Sequence, residues 1–175
     1  NADGTPIING ASGYSETGFA ATAGKHYPAG VYNMYVGREP RFYASINFNG
    51  QQWRGRQLEF WQGGKDGINV SKVDYCCTGY LLRKTADEGV DVINGKGGMK
   101  EASILFRVGS LYLDYAEALN EVALAGGTID NKEVLNSLIQ LRKRAGIEPG
   151  NENYYGLPAP QNYDAVEMRE IIRNE

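Results

Sequence analysis

Few residues in this 175-residue chain carry chemistry beyond hydrogen bonding, and their spacing argues against most kinds of catalysis. The single histidine, His26, sits between Lys25 and Tyr27. A Ser-His-Asp or Cys-His relay would have to run through it, yet no Gly-x-Ser-x-Gly motif accompanies it. One histidine also rules out metal centres built on two or more. Asp114, Glu117 and Glu121 share one helical face, where such a run is ordinarily solvated or paired with a neighbouring helix. Glycoside hydrolysis would need two carboxylates across a cleft, and nothing places Glu39 and Glu59 in that way. Cys76 and Cys77 are adjacent, too close for an unstrained bridge and wrongly spaced for zinc; they read as small semi-buried residues. The glycines of GKGGMK (Gly95, Gly97, Gly98) lack the spacing and the Lys-Ser/Thr ending of a phosphate loop and read as a connector. The expectation is no catalytic residue, no metal site and no cofactor.

The remaining chemistry is aromatic. Thirteen of the nineteen aromatic residues fall within the first 80 positions. Tyr and Trp present a flat apolar face with a polar edge, which suits a sugar ring whose C–H face is apolar and whose rim is hydroxyls. Asn47, Asn49, Gln51, Gln52 and Arg54 are near in sequence and could satisfy that rim. Trp53, Trp61, Tyr27, Tyr32 and Tyr35 are the candidate stacking rings. The alternative is that these aromatics only cover a small hairpin and pack long loops.

The elements that would hold these rings follow from periodicity. Residues 1–40 are rich in Gly, Pro, Ser, Thr and Tyr and read as ordered loop, with a short helix near Phe19–Ala23. Arg41 to Phe48 alternates apolar and polar residues as a half-buried strand does. Asn49-Gly50 then signals a tight hairpin, with Gln51–Arg56 as the return strand. Thr78–Lys84 is a second strand candidate, and Asp87–Met99 is a loop. Ser103 to Ala125 reads as a long amphipathic helix. Its apolar stripe is Ile104, Val108, Leu111, Tyr115, Ala118 and Val122, widened by Leu105, Tyr112, Ala116, Leu119 and Ala123. A stripe that wide calls for partners on more than one side. Gly126 and Gly127 stop it. Asp130 opens a second helix with capping-box spacing to Glu133, and Gly146 closes it. Asp164 and Glu167 open a third, which runs toward Glu175. The fold class is therefore α+β, mainly α. A helical hairpin at about 103–146, of tetratricopeptide-like size, packs against a loop-rich lobe with a small β-hairpin at about 41–56. The expected division is 1–100 for the lobe on the ligand side, and 101–175 for helices at about 103–125, 131–145 and 164–175.

Composition narrows the partners. Net charge is −3 without a basic stripe, so nucleic acid is not expected. No apolar run approaches the ~20 residues that span a bilayer. The opening NADGTPIING has no signal-peptide character. The wide apolar face of the first long helix and the uncapped last helix lead us to expect a piece of a longer polypeptide.

Four segments, in order, resemble the SusD/RagB family. They are GREPRFYASINFNGQQW from Gly37 to Trp53, TGYLLRK from Thr78 to Lys84, FRVGSLYLDYAEALNE from Phe106 to Glu121, and the stretch from Leu135 that ends LRKRAGI. The resemblance implies a non-catalytic, surface-exposed lipoprotein of a Bacteroidetes-type outer membrane. It would bind an oligosaccharide or polysaccharide and deliver it to a SusC-like TonB-dependent transporter. It also implies tetratricopeptide-like helices behind a loop-rich ligand lobe, and a family chain longer than this one at both ends, so that the lipid anchor lies elsewhere. Family sugar contacts follow no fixed motif, so none is carried over. Two rival classes stay open: a helical-repeat scaffold that only docks a protein partner, and a glycosidase.

Overall fold

The structure, a computed structural model, describes residues 1–4, 14–68, 75–84, 86–90, 94–95, 104–128, 130–150, 152–159 and 163–175. The chain forms two compact units. One is Pro6–Glu101 with Asn1, and the other is Ala102–Glu175 with Ala2–Thr5. Among the described residues, four α-helices and two small two-stranded sheets make the fold α+β and mainly helical.

In the loop-rich unit the backbone departs from the sequence reading at three places. No helix forms at Phe19–Ala23. Phe19 instead bridges Tyr32 in antiparallel fashion, and Ala20 exchanges bonds with Val31 and Gly30. A single 3-10 turn, Asn33–Tyr35, follows. Helix α1, Pro40–Ser45, replaces most of the expected strand, and only β1, Ile46–Phe48, is extended. Pro40 at the first helical position carries a preset φ and needs no N–H partner there. Glu39 before it is held extended, at φ −63° and ψ 153°. The alternation misleads because Tyr43, on the supposed polar face, is 4% exposed and is the most buried residue of the helix.

The third departure concerns pairing. β1 does not fold back on Gln51–Arg56. It pairs antiparallel with β4, Tyr80–Leu82, through Ile46–Leu82, Asn47–Leu81 and Phe48–Tyr80. The strand expected in Thr78–Lys84 is thus present but has another partner. The tight hairpin lies one step later, where β2 (Gln52–Trp53) pairs with β3 (Arg56–Gln57). Its two turn residues, Arg54 and Gly55, both take positive φ, at 50° and 78°, as a type I′ turn demands. At Asn49-Gly50 only Gly50 has positive φ (83°), and the Gln51 N–H donates to the Phe48 carbonyl at 3.2 Å. That is type II geometry, so the strongest hairpin dipeptide is used as a corner.

The core of this unit is aromatic. Val31, Tyr35, Tyr43 and Phe48 are buried together, with Tyr27 and Phe42 packed on them. A second cluster joins Leu58, Phe60 and Cys76, with Trp53 against it.

The helical unit holds α2 (Val108–Leu124), α3 (Asn131–Ala145) and α4 (Ala165–Arg173). α2 packs against both α3 and α4. Ala116, Val134, Leu135, Leu138, Leu157 and Met168 form the centre. Each large side chain fully removed from water there contributes roughly 1.5–3 kcal/mol. Asp130 accepts from the Lys132 and Glu133 N–H groups, and Gly146 ends α3 in the left-handed region at φ 78°. Asp164 and Glu167 complete a reciprocal capping box on α4. α4 ends at Arg173 with Asn174 as its cap, short of the expected Glu175.

α2 corrects two expectations. It starts at Val108, five residues later than read, after a non-helical Ile104–Arg107 whose last residue is extended; Ser103 lies outside the described residues. A short run of β-branched and aromatic residues fits extended chain as well as helix. The stripe taken for the core is also the open one. Val108, Leu111, Tyr115 and Val122 are 47–67% exposed. The face toward α3 and α4 is Gly109, Leu113, Ala116, Leu119, Asn120 and Ala123. Small residues win that side because they let the helices approach closely: a Cβ on Gly109 would lie 3.2 Å from a Leu141 methyl.

Candidate functional site

The five candidate rings sit in three different surroundings. Tyr35 is 7% exposed. Its ring lies 4.6 Å from Phe48, and its carbonyl accepts the Tyr43 hydroxyl at 2.5 Å. Burial pushes its phenol well above the ordinary range, and its hydrogen bond with Tyr80 adds to this. Tyr35 is therefore a core residue, and its ring is not available to a ligand. Tyr27 is half-buried and stacks on Tyr43 at 6.2 Å. His26 lies over the same Tyr43 ring at 5.1 Å. The lone histidine packs on a ring, and no relay of side chains leads from it among the described residues.

Trp53, on β2, is also half-buried. One face rests on the Leu58–Phe60–Cys76 cluster, and the Arg83 guanidinium lies 5.2 Å from its ring centroid. Arg83 is itself fixed, donating to the Tyr43 carbonyl at 3.0 Å and to Glu88 at 2.9 Å. Such a cation over an indole face contributes about 0.5–1 kcal/mol where partly exposed.

Tyr32 and Trp61 are the two candidates whose rings face water, at 41% and 53% exposure. Tyr32 is not alone. Phe19, 62% exposed, lies across the short bridge with its ring centroid 4.5 Å away and tilted by 48°. Phe19 was absent from the sequence-derived set, since only the cross-strand bridge brings it beside Tyr32.

Trp61 stands on a braced loop. The Asp66 carboxylate takes both arms of Arg56, at 2.5 and 2.7 Å, and accepts the Glu59 N–H at 3.0 Å. This pairing holds the Arg56 guanidinium above its already high value. On the other side, Asn49 accepts the Phe60 N–H at 2.8 Å, so the corner at Asn49-Gly50 positions the residue before Trp61. Gly67 closes the loop from beneath, where a Cβ would fall 1.9 Å from the Trp61 carbonyl oxygen. Among the described residues neither Trp53 nor Trp61 stacks on another ring.

The arrangement can therefore offer separate exposed faces: a tilted Phe19–Tyr32 pair and a lone indole on a rigid tip. Glu121 of α2 binds Arg169 of α4 at 2.5 Å. Among the described residues no three His, Cys, Asp or Glu side chains converge to hold a metal ion. The arginines of the GREPR segment brace their own turn. Arg41 forks Glu39 at 2.8 and 2.9 Å, and the Arg38 guanidinium lies 4.9 Å from the Phe42 centroid. None of the described helices is long and apolar enough to cross a membrane.

Comparison with known proteins gives one match. The model of the SusD family covers residues 1–175. No curated protein and no solved structure matches the chain.

Proposed function

The chain belongs to the SusD family, and on that premise we propose that it is a glycan-binding component of an outer-membrane nutrient-uptake system. It holds an oligosaccharide or polysaccharide without breaking bonds and passes it to a SusC-like TonB-dependent transporter. It acts as part of a surface-exposed lipoprotein with helices of the tetratricopeptide kind. The observation that carries this reading is the family match over the whole chain. The exposed rings of Phe19, Tyr32 and Trp61 support it, because they leave flat apolar faces in water on segments tied down by hydrogen bonds.

Calorimetry with a panel of oligosaccharides is the test. Loss of one stacking ring is worth about 0.5–1.5 kcal/mol. Trp61→Ala and Tyr32→Ala should each weaken the responding glycan roughly two- to tenfold, with unchanged circular dichroism. Equal affinity in both variants would remove these rings from the site.

The open face of α2 favours a second reading, a scaffold that docks a protein partner. Val108, Leu111, Tyr115 and Val122 recur at helical spacing and remain in water, and contiguous exposed apolar surface of this kind marks interaction sites. Under this reading Leu111→Asp and Val122→Asp abolish co-purification with the transporter and leave glycan binding alone.

A further inference from the structure

One groove lies within the helical unit, away from the candidate rings in sequence. It has a volume of about 320 Å³ and runs along α3 beneath the 152–157 loop. That volume is within the range of small-molecule sites. Lys132, Asn136, Gln140 and Lys143 follow one another at steps of four, four and three, so they line one face of α3. At 1.5 Å per residue the two lysines are about 16 Å apart along the axis, with the two amides between them. Ile139 is half-buried below, and Tyr154 and Tyr155 form the facing wall.

Three observations point to a ligand here. Both lysines are exposed, and among the described residues neither is engaged in an ion pair. The two phenol groups likewise have no hydrogen-bond partner among the described residues. Finally, the wall is held in a costly backbone shape. Asn153 and Tyr155 have φ of 59° and 54°, a region that non-glycine residues enter at a cost of order 1 kcal/mol or more. The conformation persists because it is over-determined. The Tyr155 N–H donates to the Pro149 carbonyl at 3.1 Å, and the Tyr155 carbonyl accepts from the buried Arg142 guanidinium at 3.1 Å. A loop backbone fixed before a ligand arrives loses little further entropy on binding.

We propose that this α3 groove is a second carbohydrate subsite, selective for sugars that carry an anionic group. The tyrosines take the apolar face of the ring, Asn136 and Gln140 its hydroxyls, and Lys132 or Lys143 its carboxylate or sulfate ester. The inference rests on the glycan-binding reading and adds a substrate class to it.

Calorimetry on the full chain tests it with three probes: a short oligogalacturonate, a sulfated disaccharide and a neutral maltooligosaccharide. At least one anionic probe should bind more tightly than the neutral one, and the one that does identifies carboxylate or sulfate as the anion. The double variant Lys132→Gln, Lys143→Gln should weaken that probe about tenfold, or about 1.4 kcal/mol, and flatten its salt dependence. Lys132→Arg with Lys143→Arg should restore it. Both positions are exposed, so folding is not at risk, and Trp61→Ala should leave anionic binding in place. Unchanged affinity in the lysine-to-glutamine variant overturns the inference, as does anionic binding no tighter than neutral. If the neutral probe still binds and still depends on Trp61, the glycan-binding reading survives that failure. If no probe binds, both fall.

Discussion

Arg142 offers the sharpest test of how the helical unit is held together. Its side chain is 10% exposed and its partner Glu175 only 1%. The Nε donates to the Glu175 carboxylate at 2.5 Å, while Nη1 reaches the Tyr155 carbonyl at 3.1 Å and the Gly4 carbonyl at 3.4 Å. One planar fork thus ties α3 to the segment after α4, to the 152–157 loop and to Gly4. Arg142→Leu removes these three bonds and takes the arginine away from a buried carboxylate, and breaking a buried pair in this way costs about 3–5 kcal/mol. With a urea dependence of roughly 1–3 kcal/mol per molar, the midpoint should fall by about 2 M. Far-ultraviolet ellipticity is the suitable signal, since the three longest helices all belong to this unit. Adding Glu175→Leu should recover much of the loss, because replacing both ions removes the desolvation penalty along with the attraction. Recovery should stop about 1–2 kcal/mol short, for the two carbonyls still lack their donor. Arg142→Lys keeps the charge but not the fork and should fall between wild type and Arg142→Leu. A single Arg142→Leu within 1 kcal/mol of wild type, or a double variant no better than the single, would refute the reasoning.

Other outcomes follow from single contacts. Gly67→Ala forces a Cβ into the Trp61 carbonyl and should shift Trp fluorescence and lower stability by several kcal/mol; at Gly55, where the φ of 78° opens onto empty space, alanine should cost only about 1 kcal/mol. Asp164→Ala removes the acceptor for the Val166 and Glu167 N–H groups and should destabilise α4 by about 1 kcal/mol in denaturant titration. Tyr35 and Tyr43 are raised chiefly by burial, so the folded chain holds their protons to higher pH than the unfolded chain does. Their contribution to stability is therefore whole below about pH 10 and drains away as the pH climbs through the folded values. In an alkaline titration followed by tyrosinate absorbance, Tyr43→Phe should remove one late-titrating group; all twelve tyrosines of the unsubstituted chain titrating together near pH 10 without unfolding would refute the assignment.

What could be read from the chain was whatever a few neighbouring residues settle among themselves. Asp130 and Asp164 mark helix starts because each carries its acceptor to N–H groups two and three residues on. Gly146 marks an end because no Cβ opposes a left-handed cap. The overall class and the family were legible for the same reason, since ordered segments such as GREPRFYA and AEALNE lie in the sequence itself. Strand pairing was not, because β1 chose β4 more than thirty residues away over the nearer candidate, and no local signal encodes that contact. Nor was the inner face of α2, where two apolar stripes compete and Ala116 and Asn120, not Leu111 and Val122, lie against α3 and α4. The same limit governed the rings. Composition placed Tyr35, Tyr32 and Trp61 on equal terms, but burial is a property of everything packed around a residue. Only the assembled fold turned Tyr35 inward, brought Phe19 beside Tyr32, and set Tyr154 and Tyr155 along the same groove as the lysines of α3.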